Sequence, residues 1–112
     1  MEPIFHIVPQ SEWDRALDTG WYRPESLDTE GFIHCSDSPQ VAGVADAYYG
    51  GRTDLLLLEI DPGKVRAEVI RELAPDRQGR FPHVYGPLPV ESVVHVHGLP
   101  LGRDGRFHWP LA

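Results

Sequence analysis

The spacing of apolar residues divides the chain into short elements. Ile4-Phe5-His6-Ile7-Val8 is apolar on both faces except at His6, which shares its side with Ile4 and Val8, and Pro9 closes the run; this predicts a first strand. Ser11, with Asp14 three residues on, makes a box-like cap for a helix on which Trp13, Ala16 and Leu17 recur at helical spacing until Gly20 stops it. Residues 21–27 form a connector rich in large amphipathic side chains, read either as a loop packed over the core or as the wall of a cleft. A strand pattern follows over residues 30–36, with Gly31 turning the backbone in. Alternation there puts Phe32, His34 and Ser36 on one face and Ile33 and Cys35 on the other, which is the core face. Ser38 and Pro39 read as the N-cap and first residue of a second helix whose apolar face is Val41, Val44, Ala45 and Tyr48, ended by Gly50-Gly51.

The unbroken run Leu55–Ile60 suits a central strand covered on both sides. Residues 61–64 make a turn, and 65–73 return as a strand with Val65, Ala67, Val69 and Arg71 on one side. Residues 74–79 are polar loop, and in 81–89 prolines and a glycine confine a few strand-like residues to a fixed shape. Residues 90–99 read as a last long strand, and Asp104-Gly105 as the tight turn of a closing hairpin that ends in Phe107 and Trp109. Two early helices and some six short strands with few crossovers predict an α+β fold with an antiparallel or mixed sheet, in one domain spanning residues 1–112.

Composition agrees with that picture. A chain of 112 residues has room for one core, and 11 Gly with 11 Pro favour short elements joined by fixed turns over a helical bundle. No apolar run approaches the ~20 residues of a membrane span, and Met1-Glu2-Pro3 lacks the basic start and apolar stretch of a signal peptide, so a cytoplasmic protein with no membrane partner is expected. A formal charge of -7 argues against bulk binding to nucleic acid. The arginines at 15, 23, 52, 71, 77 and 80 stand singly, so an anion site must be assembled by folding. Cys35, the one cysteine, excludes an internal disulfide and reads as a small core residue.

The candidate chemistry lies in the histidines. His34-x-Ser36 sets an imidazole beside a hydroxyl, a pair able to donate, accept and exchange protons near neutral pH. No metal is expected, because His6, His34 and His83 come without an H-E-x-x-H helix, a carboxylate pair or a thiolate cluster. His95 and His97 read as the solvated side of a half-exposed strand, and His108 as surface. The H-x-[ST] pattern is half of the scheme used by two-histidine phosphoesterases, whose second copy is missing here, which makes a hydrolase of that kind the weaker reading. Nothing matches a G-x-S-x-G elbow, a dinucleotide-binding glycine fingerprint or a P-loop. The three histidines at 6, 34 and 83 either satisfy buried backbone groups or line a pocket. Burial of three unpartnered imidazoles would cost roughly 1–3 kcal/mol each, which favours the pocket.

The ordered set Phe5-His6-Ile7, Trp13 with Ala16, Arg23-Pro24-x-Ser26-Leu27, Glu30-Gly31-Phe32-Ile33-His34-Cys35-Ser36 with Gln40, and Phe81-Pro82-His83-Val84-Tyr85-Gly86-Pro87-Leu88 resembles a small, largely bacterial family, domain of unknown function 952, over nearly the whole chain. The resemblance implies an ADP-ribosyltransferase-like fold, a split pair of small antiparallel or mixed sheets whose cleft holds NAD in the enzymes that use it. Those enzymes stabilise an oxocarbenium-like ribosyl cation as nicotinamide departs. By similarity, His6 or His34 holds ribose hydroxyls, Tyr22, Tyr48 or Tyr85 stacks on nicotinamide, and Glu91, at the opening of the last strand, meets the ribose 2′-OH. Related RNA 2′-phosphotransferases carry Arg in that last place, and residues 90–99 contain none. The expectation is therefore a nucleotide-like small-molecule ligand, NAD as the implied cofactor, His34, Ser36, His83 and Glu91 as catalytic residues, and His6, Arg23 and Tyr85 as ligand-binding ones. The competing class is a ligand- or protein-binding module of the same fold without catalysis.

Overall fold

A computed structural model describes residues 2–74 and 77–110. Along the chain, β1 (Ile4–Pro9) leads into α1 (Gln10–Thr19), β2 (Trp21–Tyr22), a single-turn α2 (Ser26–Thr29), β3 (Ile33–His34), α3 (Val41–Tyr48) and β4 (Leu55–Ile60). Then follow β5 (Val69–Leu73), β6 (Arg80–Val84), β7 (Leu88–Pro89) and β8 (Val93–Gly98), with 3-10 turns at Ser38–Gln40, Pro62–Lys64 and Val90–Ser92. Three antiparallel sheets result, ordered β1-β4-β8, β2-β7 and β3-β6-β5. The α+β expectation holds, and every strand pairing described is antiparallel rather than mixed.

The leucine run owes its central place to having two apolar faces. Leu55 and Leu57 pack with Phe5, Ile7, Val41, Ala45 and Phe107, while Leu58 and Ile60 pack with Ile4, Val8 and Trp13 and with residues of the other two sheets. Cys35 belongs to this second cluster, and burial pushes its thiol up, so it behaves as a small apolar side chain. Among the described residues, no helix is long and apolar enough to cross a membrane.

Several boundaries differ from the sequence expectation for local reasons. The first helix starts at Gln10 with extended Pro9 as its cap, and Ser11 is its second residue; the Gln10 N–H donates to the Asp54 carbonyl at 2.9 Å, which takes over the capping role. Leu17, counted above on the apolar stripe, is 55% exposed. Ser38 and Pro39 open a 3-10 turn instead of α3 itself; Asp37 caps that turn, where its N–H donates to the Gln40 side chain at 2.8 Å, and α3 follows from Val41. The strand expected over 30–36 contracts to Ile33–His34, because the N–H groups of Glu30 and Gly31 still donate to the Ser26 carbonyl closing α2, and Gly31 takes φ 91° to leave that turn. The strand expected over 65–73 begins only at Val69, after the Pro62–Lys64 turn and an irregular stretch. The one expected over 90–99 begins after the Val90–Ser92 turn, inside which buried Ser92 donates to the Pro89 carbonyl. Within the loop expected at 74–79, positions 75 and 76 lie outside the described residues, as does Met1. The Asp104-Gly105 turn forms as read, with Gly105 at φ 79°, and the segment beyond it is pinned where the Phe107 N–H donates to Asp46 and the Trp109 indole N–H to Ser38.

Leu57→Ala should lower unfolding free energy by about 2–5 kcal/mol, since that fully buried side chain packs with Phe5 and Ile7 of β1, Val41 and Ala45 of α3 and Phe107, while Leu17→Ala should change it by under ~0.5 kcal/mol. Urea denaturation midpoints of the two variants check the difference.

Candidate functional site

Strand parity builds the site. In the β3-β6-β5 sheet His34 stands opposite His83, and His83 opposite Ile70, so these three share one face. Phe32, Tyr85 and Glu72, each two residues along, fall on it too. The opposite face carries Ile33, Val84 and Val69 into the core. The Phe32 ring lies nearly flat on His83, with centroids 4.1 Å apart at 18°, and tilts against His34 at 4.8 Å and Tyr85 at 5.3 Å. The two imidazoles meet edge to face at 5.4 Å. His83 is 5% exposed, whereas the His34 side chain is 54% exposed.

Each imidazole of the pair has its own carboxylate. His34 Nε2 contacts Glu30, four residues earlier on the turn. His83 Nδ1 donates to Glu72 Oε1 at 2.9 Å, and the Tyr85 hydroxyl donates to the same oxygen. Hydrogen bonds from Tyr85 and then His83 hold the Glu72 carboxyl below the usual carboxylate range, and the bond to Glu72 raises Tyr85. Glu72 therefore acts as an acceptor toward both. Neither glutamate was identified from the sequence. The signals were present: Glu72 is out of phase with Val69 and Arg71, which placed it on the face opposite the core, and Glu30 precedes His34 by four.

His6 lies beneath this face rather than on it. Its Nδ1 contacts the His34 backbone carbonyl at 2.5 Å, and its Nε2 the Tyr22 hydroxyl at 2.7 Å. A carbonyl can only accept, so Nδ1 carries the proton and Nε2 accepts from Tyr22. Burial pushes the His6 imidazole down to about 4, from an ordinary 6.5, with the bond to the His34 carbonyl opposing that shift and the nearby His34 ring adding to it. The same burial raises Tyr22. Both His6 nitrogens are thus engaged within the chain.

The remaining expected residues are dispersed. Ser36 does not continue alongside His34: it is buried and exchanges backbone hydrogen bonds with Phe5 at 2.8 and 2.7 Å, so the chain crosses between two sheets within 33–36. Arg23 pairs with Asp28 at 3.1 Å and lines an open groove of about 460 Å³ with Arg15, Thr19, Trp21, Tyr22 and Pro24. The connector is therefore a groove wall, anchored by buried Tyr22. Glu91 stands in the Val90–Ser92 turn, 70% exposed, 3.7 Å from Arg66, whose guanidinium sits over Trp21. A second groove, about 590 Å³, runs past Phe5, Asp37, Ser38, Glu59 and Arg71. Neither groove includes His34 or His83; their cluster is an open face, and its claim rests on side-chain chemistry rather than concavity. His97 pairs with Glu59 and packs on Trp109, so it is half-buried instead of simply solvated, while His108 is exposed beside Asp104.

Comparison with known proteins gives a consistent result. A family model described as protein of unknown function, DUF952, matches residues 7–96. A crystal structure of protein CC0527 from Caulobacter crescentus is similar at 30% identity and TM-score 0.84, covering 95% of this chain and 93% of that one. A solution NMR structure of CC0527 is similar at 32% identity and TM-score 0.75, covering 95% and 91%. No curated protein matches the chain.

The His6 geometry makes stability depend on pH. Above pH 6.5 the ring is neutral whether folded or unfolded; as pH falls below that, the unfolded chain takes up a proton that the folded ring refuses until about pH 4. The full effect is about 3 kcal/mol lost across that window. Urea unfolding of the native chain and of His6→Gln at pH 7 and pH 4.5 should show the variant destabilised at pH 7 and the gap between the two narrowing at pH 4.5.

Proposed function

The chain belongs to the DUF952 family, and from that premise we propose that it is a nucleotide-binding protein of ADP-ribosyltransferase-like fold that works in the cytoplasm. The observation that carries the reading is the Phe32-His34-His83-Tyr85 cluster, in which two imidazoles meet at 5.4 Å under a stacked aromatic ring. An aromatic platform offers a π face to a base or a nicotinamide ring, and imidazole nitrogens at its margin suit ribose hydroxyls. The proposed fold draws on the separation of the β1-β4-β8 and β3-β6-β5 sheets, which are bridged at 33–36.

In this proposal NAD is the cofactor, His34 holds ribose hydroxyls and Tyr85 stacks against nicotinamide. Cleavage of the glycosidic bond and transfer of ADP-ribose is the activity. His6 contributes through the carbonyl of His34, whose position it fixes. A non-catalytic binder is the second reading, and it draws on Glu91, which faces Arg66 on an exposed turn.

Ring resonances of His34 and His83, followed during titration with NAD and with ADP-ribose, should move at millimolar ligand. His34→Ala should weaken that affinity by about tenfold, the equivalent of one hydrogen bond. Rings that stay put at millimolar ligand refute nucleotide binding. Nicotinamide release then separates the two readings: its loss in Glu91→Gln supports Glu91 as the acid, and persistence there removes Glu91 from the role.

A further inference from the structure

Glu72, His83 and Tyr85 form a unit with a direction. A carboxylate held in its ionised form can only accept, so the His83 nitrogen facing it, Nδ1, must carry hydrogen, and a neutral ring then bears its lone pair on Nε2. Among the described residues no buried side-chain nitrogen or oxygen lacks a partner. His83 is buried as a residue and is bonded to Glu72 through Nδ1, which leaves Nε2 on the far side of the ring from that carboxylate. Phe32 stacked on the ring and the His34 edge beside it prevent the imidazole from turning over. A nearly dry imidazole held through Nδ1 by a carboxylate, with its lone pair on Nε2, is the arrangement suited to a general base.

We propose that His83 is the general base of this site, with Glu72 as its positioning residue, and that it takes the proton of a hydroxyl acceptor, water or an alcohol. The inference rests on the NAD reading above and deepens it by naming the acceptor class. Nε2 removes the proton from the acceptor hydroxyl as its oxygen forms a bond to the ribose anomeric carbon. The bond from that carbon to nicotinamide breaks, and its electron pair leaves with nicotinamide as a neutral molecule. The imidazolium then returns its proton to solvent. The products are the O-linked ADP-ribosyl compound, or ADP-ribose when the acceptor is water, together with nicotinamide and one proton.

Nitrogen-15 spectra of the full chain read the arrangement directly. In the native protein at neutral pH, neutral His83 should carry its hydrogen on Nδ1. Glu72→Gln should shift the ring toward the Nε2–H form, and Glu72→Asp should retain the native form. Nicotinamide release should fall by about 10²-fold in Glu72→Gln, the lower end of what a positioned base contributes, and recover in part in Glu72→Asp, with ADP-ribose affinity little changed. A native His83 protonated on Nε2, or release at the native rate in Glu72→Gln, overturns the proposal. Should the rings shift with ADP-ribose while the tautomer is the wrong one, this inference alone fails; should they not respond to ADP-ribose or NAD at all, the nucleotide reading fails and this one with it.

Discussion

One buried imidazole ties the three sheets together. His6 extends from β1 of the leucine-centred sheet, donates to the carbonyl of His34 in the sheet of β3, β6 and β5, and accepts from Tyr22 in the β2-β7 pair. An unpartnered polar ring at that depth would cost roughly 1–3 kcal/mol, and here both nitrogens are met, so the ring works as a connector between layers that share little backbone pairing. The direct backbone link is short: Phe5 and Ser36 exchange two hydrogen bonds where the chain passes from one sheet to the next. With β3 only two residues long, the position of His34 depends on the carbonyl that His6 holds.

Above that connector the site is organised by strand parity. Putting Ile33, Val84 and Val69 into the core forces Phe32, His34, His83, Tyr85 and Glu72 to share the other face. The two imidazole-carboxylate pairs differ in weight. Glu30 and His34 are both about half exposed, and such a pair contributes on the order of 0–1 kcal/mol, so it leaves His34 adaptable. Glu72 meets a ring that is nearly enclosed, and Tyr85 supports it from the side, so orientation is its main contribution.

Much of this was legible in the residues. The two-faced leucine run, the core-facing pair Ile33 and Cys35, the stop at Gly20 and the closing turn at Gly105 each follow from a local rule, and each appears where the rule puts it. The strand patterns over 30–36, 65–73 and 90–99 run past the strands themselves, because the structure ends them at backbone hydrogen bonds made to neighbouring turns, which sequence alone does not report. For the site, parity within one strand gave Phe32 and His34, but bringing His83 and Glu72 beside them needed the pairing of β3 with β6 and of β6 with β5, a tertiary fact. The same limit explains Ser36, which shares the parity of His34 and yet belongs to a different ladder.

The division of labour among the three histidines follows from their free valences. His6 has none, since Tyr22 and a carbonyl occupy both nitrogens, so nothing remains with which to hold a ligand. His34 and His83 each give one nitrogen to a glutamate. Glu30 and Glu72 make the face they occupy locally acidic, in a chain whose formal charge is already -7. Such a face suits the uncharged ring and sugar parts of a nucleotide better than its phosphates. Across the connector, the groove whose wall includes Tyr22 is lined by both signs, Arg15 and Arg23 with Glu12 and Glu25, and Arg23 is already paired with Asp28. His6 thus stands between two chemically different surfaces, an aromatic and imidazole face on one side and a groove of mixed charge on the other.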